Sequence, residues 1–94
     1  MKPYDVTYRQ ISLGVKMALG ARSFVGDGAA LIFQVGPGRP LWKVVVTLNG
    51  RDLYDIELLR FDRHFNHTVV ASHEDVGVEN LNATLISLQG NWQK

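Results

Sequence analysis

Residues 41–61 read LWKVVVTLNGRDLYDIELLRF, in which two segments rich in aliphatic and aromatic side chains flank Asn49-Gly50. Asn-Gly favours the positive backbone dihedrals of a tight hairpin turn, so this pattern predicts two antiparallel strands at 41–48 and 53–61. Successive strand residues point to opposite faces of a sheet, and one alternating set here is apolar. That set consists of Trp42, Val44, Val46, Leu48, Tyr54, Ile56 and Leu58. We therefore expect one face of the hairpin to be buried and the other to be mostly wet.

Shorter strand-like segments flank the hairpin. Leu31, Phe33 and Val35 alternate with Ala30, Ile32 and Gln34, which predicts a preceding strand. The segment 36–40, GPGRP, ends that strand because proline cannot donate a hydrogen bond to a neighbouring strand. After a polar turn, residues 68–71 predict a short fourth strand at an edge of the sheet. The expected sheet is an antiparallel meander of three to four strands.

The N-terminal segment, residues 5–25, fits two patterns. Ile11, Val15 and Leu19 recur at helical spacing, but every second residue from 11 to 19 is also apolar, as in a strand. We favour one helix, because the segment is long for a strand and residues 16–19 are good helix formers. Gly20 is a suitable helix end, whereas an interior Gly14 disfavours the helix.

The C-terminal segment has the pattern of an amphipathic helix. Val78, Leu81, Leu85 and Leu88 fall on one helical face. Acidic residues at 74, 75 and 79 suit a helix start, and Gly90 suits its end. The complete prediction is a single α+β domain over residues 1–94: an N-terminal helix, the meander, and a C-terminal helix packed on one sheet face.

Composition narrows the classes of function. The 94 residues include no cysteine, which excludes disulfides, thiolate metal sites and a nucleophilic cysteine. There is no apolar run of about 20 residues to span a bilayer, and the start lacks the apolar core of a secretion signal. We therefore expect a cytoplasmic protein that does not enter membranes. The net charge is only +1, so binding to nucleic acid would require a local basic patch.

Three segments resemble a known group of proteins. They are residues 47–57, TLNGRDLYDIE, residues 74–81, EDVGVENL, and residues 19–24, LGARSF. Together they resemble small proteins of unassigned function that are common in bacteriophage and prophage genomes. The chain departs from that group at Gly77, where an aromatic residue is usual, and at residues 89–93, where the group is more apolar. The resemblance implies a virus-encoded accessory protein that acts in the host cytoplasm.

Two groups of side chains are candidates for a metal site or for acid–base catalysis. His64, His67 and His73, with Asp62 and Glu74, contain the donor types of a zinc site, but their spacing does not direct them to one ion. Asp52, Asp55 and Glu57 could form a general acid and base, although such a row is more typical of the wet side of a sheet. We interpret both groups as solvated, and predict no catalytic residue, metal or cofactor.

The sequence therefore favours binding over catalysis. We predict a non-enzymatic protein that occupies or inhibits a host macromolecule, such as a defence or gene-expression component. The alternative is a nucleic-acid or nucleotide-binding protein that uses a basic patch on the sheet and its loops. Trp92 either caps the core or anchors a partner. The apolar residues on the wet face of the sheet could be buried by a partner or by a second copy of the chain. The candidate partner-binding residues are Arg39, Lys43, Leu59, Arg60, Phe61, Arg63, His64 and Trp92.

Overall fold

The computed structural model describes residues 3–93, which form an α+β fold around one antiparallel sheet. Two helices, α1 (Pro3–Gln10) and α2 (Leu13–Leu19), precede the strands. The strands are β1 (Arg22–Asp27), β2 (Ala30–Val35), β3 (Leu41–Leu48), β4 (Tyr54–Phe61) and β5 (His67–Val76). Helix α3 (Val78–Ser87) follows and continues into a 3₁₀ turn, Leu88–Asn91. None of the helices within this described range is long and apolar enough to cross a membrane.

The predicted hairpin is confirmed, and it forms the centre of the sheet. Strands β3 and β4 pair antiparallel along their whole length, from Leu41 opposite Phe61 to Leu48 opposite Tyr54. The buried face holds the predicted alternating side chains, except that Leu48 is only partly buried. The connection is longer than the predicted tight Asn-Gly turn, since it is a five-residue loop, 49–53. Its backbone is closed by the Asn49 side chain, whose oxygen accepts hydrogen bonds from the amides of Arg51 and Leu53.

The prediction of three to four strands was too low, because the meander contains five strands in sequence order. The first strand, β1, was not predicted, and it pairs with β2 through a bulge between Arg22 and Val25. The last strand is an edge strand, as predicted, but it runs for ten residues and not four. Two irregularities in its pairing with β4 interrupt the regular alternation along β5, which explains why its sequence shows a strand pattern only in part.

The N-terminal segment is helical, as favoured from the sequence, but it forms two helices and not one. Ser12 has an extended backbone and its hydroxyl accepts a hydrogen bond from the amide of Val15, so it caps a new helix. The helical spacing itself is confirmed, because Ile11, Val15 and Leu19 are buried. Gly20 ends α2 in the left-handed conformation, as predicted.

The C-terminal helix is confirmed, with small differences at its ends. Leu81, Leu85 and Leu88 are buried, whereas Val78 is substantially exposed. Asp75 and its acidic neighbour at position 74 belong to β5 and do not form part of the helix start. Gly90 lies within the terminal 3₁₀ turn and does not end it.

One face of the sheet belongs to the core. The buried side chains of β2, β3 and β4 form a single cluster with those of the helical segments. The members contributed by residues outside the sheet are Ile11, Val15, Leu19, Leu81, Leu85 and Leu88. No helix within residues 3–93 packs on the opposite face of the sheet, which we call the open face.

Candidate partner-binding site

Two loops meet at one end of the sheet because of the antiparallel register. Leu41, the first residue of β3, pairs with Phe61, the last residue of β4. The loop before β3, residues 36–40, therefore lies beside the loop after β4, residues 62–66. The side chains of these loops border a cleft of about 590 Å³, which is within the size range of ligand-binding pockets in proteins. Its lining residues are Gly38, Arg39, Pro40, Leu41, Phe61, Asp62, Arg63 and Phe65.

The β4–β5 loop is held by the side chain of Asp62. One carboxylate oxygen accepts hydrogen bonds from the amides of His64, at 2.8 Å, and Asn66, at 3.0 Å. The Phe65 amide in turn donates to the Asp62 carbonyl at 3.0 Å. Aspartate commonly organises turns in this way, and here its carboxylate is occupied by the loop itself.

Phe65 occupies an unusual position in this loop. Its φ is 63°, in the left-handed region that is unfavourable for a residue with a large side chain. Its side chain is 76% exposed, so the ring gains little from burial in the core. A large apolar ring held in water by a constrained turn suits contact with another molecule.

Two guanidinium groups accompany that ring on the wall of the cleft. Arg39 and Arg63 both border it, and neither has an ion-pair or hydrogen-bond partner within residues 3–93. The nearby Asp62 carboxylate is used by backbone amides of its own loop. The cleft therefore combines an apolar wall with positive charge that the described chain does not pair.

Four further candidates lie beside the cleft or near it. Phe61 forms part of its wall, and the Lys43 ammonium lies 5.5 Å from the centre of the Phe61 ring. Leu59 pairs with Lys43 on the open face and is only partly buried. His64 belongs to the same loop as Arg63, although it does not line the cleft.

The other two candidates lie on the opposite side of the sheet. Arg60 points to the helix side, where its guanidinium carbon lies 5.9 Å from the centre of the Trp42 ring. Trp92 is partly buried there, with its ring 6.1 Å from that of Trp42 and next to Gly36. A single basic patch containing both Lys43 and Arg60 is therefore not formed.

The histidine and carboxylate groups are dispersed. No three histidine, aspartate or glutamate side chains in the described part of the chain converge on a position suited to a metal ion. The His67 ring packs against Phe61 at 5.6 Å between centres, whereas His73 pairs with Ile56 elsewhere on β5. Asp55 accepts hydrogen bonds from the Asn49 amide group and the Asp75 backbone amide, which is a structural role.

Sequence reasoning did not identify the apolar wall of the cleft. From the sequence, Pro40 ends one strand and Leu41 begins the next. They line a cleft only because Leu41 pairs with Phe61. Phe65 is not among the partner-binding candidates predicted from the sequence. Its exposure and its positive φ are features of the folded loop, and no local sequence pattern signals them.

Comparison of the chain with models of protein families gives no match. Comparisons with curated proteins and with solved structures give no significant match either.

Proposed function

We propose that the protein acts by binding another macromolecule at the cleft between the 36–40 and 62–66 loops, and that it performs no reaction there. The observation that supports this is the exposed Phe65 ring beside two unpaired guanidinium groups, those of Arg39 and Arg63. Aromatic and arginine side chains provide a large share of the binding energy in protein interfaces. The resemblance to phage proteins, which remains a hypothesis, makes a protein of the bacterial host the proposed partner.

The chemistry of the cleft specifies the kind of partner. An apolar wall formed by Pro40, Leu41 and Phe61 suits an aliphatic or aromatic side chain of the partner. Arg39 and Arg63 suit carboxylates next to that side chain, since guanidinium groups bind carboxylates through paired hydrogen bonds. The proposed partner surface is therefore a protein segment with an apolar anchor flanked by aspartate or glutamate.

The proposal is tested by capture of proteins from a bacterial lysate, followed by titration of the captured protein with purified variants. Phe65→Ala should weaken binding by about tenfold or more, the size expected when an interface anchor is truncated. Arg39→Ala and Arg63→Ala should each weaken it and reduce its dependence on salt. Binding that is unchanged in all three variants would refute the cleft as the site.

A matched control is available on the same strand that leads into the loop. Arg60→Ala removes the same charge as Arg63→Ala, but Arg60 lies on the helix side of the sheet. This variant should bind like the wild-type protein. Far-ultraviolet circular dichroism of each variant separates a lost contact from a lost fold.

A second candidate function, binding of single-stranded nucleic acid, is favoured by the same charges. Phe61 and Phe65 offer rings on which bases can stack, and Arg39, Arg63 and Lys43 lie near them. Affinity for a labelled oligonucleotide would then fall steeply with salt, because phosphate contacts release counterions. Removal of Arg39 or Arg63 should lower the slope of log affinity against log salt by about 1. If oligonucleotides bind without this dependence on salt, or do not bind, the second function is excluded.

A further inference from the structure

The open face is unusually apolar for the wet side of an antiparallel sheet. Paired residues of neighbouring strands lie on the same face, so the register defines its rows. One row contains Gln34, Lys43, Leu59 and Val69. The next contains Val25, Ile32, Val45, Glu57 and Ser72. Val25 and Val69, at opposite edges, are 57% and 47% exposed, so the apolar surface extends across the whole width of the sheet.

The charges on this face are divided between its two ends. Lys43 lies toward the end of the sheet that carries the cleft. Glu57 lies one row toward the opposite end, and Asp55 and Asp27 lie in the row beyond it. Neither Lys43 nor Glu57 has an ion-pair partner within residues 3–93. One end of the face is thus basic and the other acidic.

We propose that the open face binds the open face of a second copy of this chain, inverted end for end about a two-fold axis that runs across the strands. The axis lies between the Lys43 row and the Glu57 row, so each copy places its basic row over the acidic row of the other. A two-fold interface must be self-complementary, and a face with one basic and one acidic end meets that requirement. The resulting layer of side chains between two sheets is that of a β-sandwich. This inference goes beyond the proposed function and concerns the open face, which meets the cleft only at Leu41 and Phe61.

The area of the face is consistent with a specific but reversible dimer. Five strands spaced about 4.8 Å apart, over four rows spaced about 6.6 Å apart, give a flat area of roughly 600 Å² per copy. The two copies together would then bury about 1,200 Å², which is at the lower end of the range for specific interfaces. The loops that carry Arg39, Arg63 and Phe65 lie beyond the last row and remain accessible at the rim.

The decisive experiment uses two charge reversals, Lys43→Glu and Glu57→Lys, measured by sedimentation equilibrium. Each variant alone brings like charges together across the axis and should raise the dimer dissociation constant by about tenfold or more. An equimolar mixture of the two should dimerise again. One copy then has carboxylates at positions 43 and 57, and the other has ammonium groups at both. Each residue 43 is therefore opposite in charge to residue 57 of the other copy, across the axis. Recovery in the mixture cannot come from misfolding of either variant.

Arg60→Glu is the matched control, since it reverses a charge on the other face of the same strand and should leave the dimer unchanged. Phe65→Ala should also leave it unchanged, which separates failure of this inference from failure of the proposed function. Three results would each overturn the inference: a wild-type chain that stays monomeric at about 1 mM, single reversals that dimerise like wild type, or a mixture that does not recover.

Discussion

Asn49 is expected to be the residue of the β3–β4 loop on which stability depends most. Its side-chain oxygen accepts from the amides of Arg51, at 2.8 Å, and Leu53, at 3.3 Å. Its amide group donates to carboxylates of Asp55, at 3.2 Å, and Asp75, at 2.8 Å. One side chain therefore closes the loop and also ties it to the edge strand β5.

The cost of Asn49→Ala follows from these four hydrogen bonds. A net contribution of about 0.5 to 0.75 kcal/mol each, the low end of the usual range because the site is partly exposed to water, gives a loss of about 2 to 3 kcal/mol. For a domain of this size, that loss lowers the melting temperature by about 10 to 20 °C. Thermal and urea unfolding, followed by circular dichroism, measure it.

Two further variants make this estimate refutable. Asn66→Ala removes an asparagine from the other loop whose side chain makes no hydrogen bond in the described chain, and it should change stability by less than about 0.5 kcal/mol. Asn49→Asp keeps the accepting oxygen but places a third carboxylate beside Asp55 and Asp75, so it should be at least as harmful as alanine. A stable Asn49→Asp variant, or equal effects at positions 49 and 66, would show that this network contributes little.

Three other predictions concern packing and helix junctions. Gly26→Ala should destabilise the fold by about 1 to 3 kcal/mol in urea unfolding, because the added methyl group would overlap the Tyr4 ring. In a protein that already carries Tyr4→Ala, the same substitution should cause no further loss. Gly14→Ala should instead stabilise it by about 0.5 kcal/mol in the same assay, since nothing lies within 4 Å of the added methyl group and alanine favours the helix; a loss would contradict the assigned α2. Asn82→Ala should cost about 1 to 2 kcal/mol, because its side chain accepts from the Ser12 amide and donates to the Gln10 carbonyl; unchanged melting would exclude that bridge.

The break between the first two helices shows where local sequence information ends. Residues 5–19 contain a helical pattern, and the buried positions Ile11, Val15 and Leu19 agree with it. Ser12 is a good helix cap, but its capping role could be identified only from the bend in the folded chain. The bend is held by Asn82, seventy residues away in sequence from Ser12. A contact of that separation leaves no periodic signal near residue 12.

The sequence predicted which residues could belong to the candidate site, but it did not predict which of them lie together in the folded chain. Arg39, Phe61 and Arg63 were candidates from the sequence, and the structure brings them around one cleft. Arg60 and Trp92 were candidates for the same reasons but lie on the other side of the sheet. For Arg60 the alternation along β4 already contained this information, because it shares the parity of Ile56 and Leu58.

The sequence by itself determined the central hairpin, its buried face and the C-terminal helix, since each depends on a side-chain period of two or of 3.6 residues within one segment. Only the tertiary structure decided that β1 and most of β5 are strands, that two loops enclose a cleft, and that an apolar face remains open. These features depend on the register between neighbouring strands, such as Leu59 with Val69 and Leu41 with Phe61. That register is set by bulges and loops that leave no periodic apolar pattern in the sequence, so one segment read alone does not reveal it.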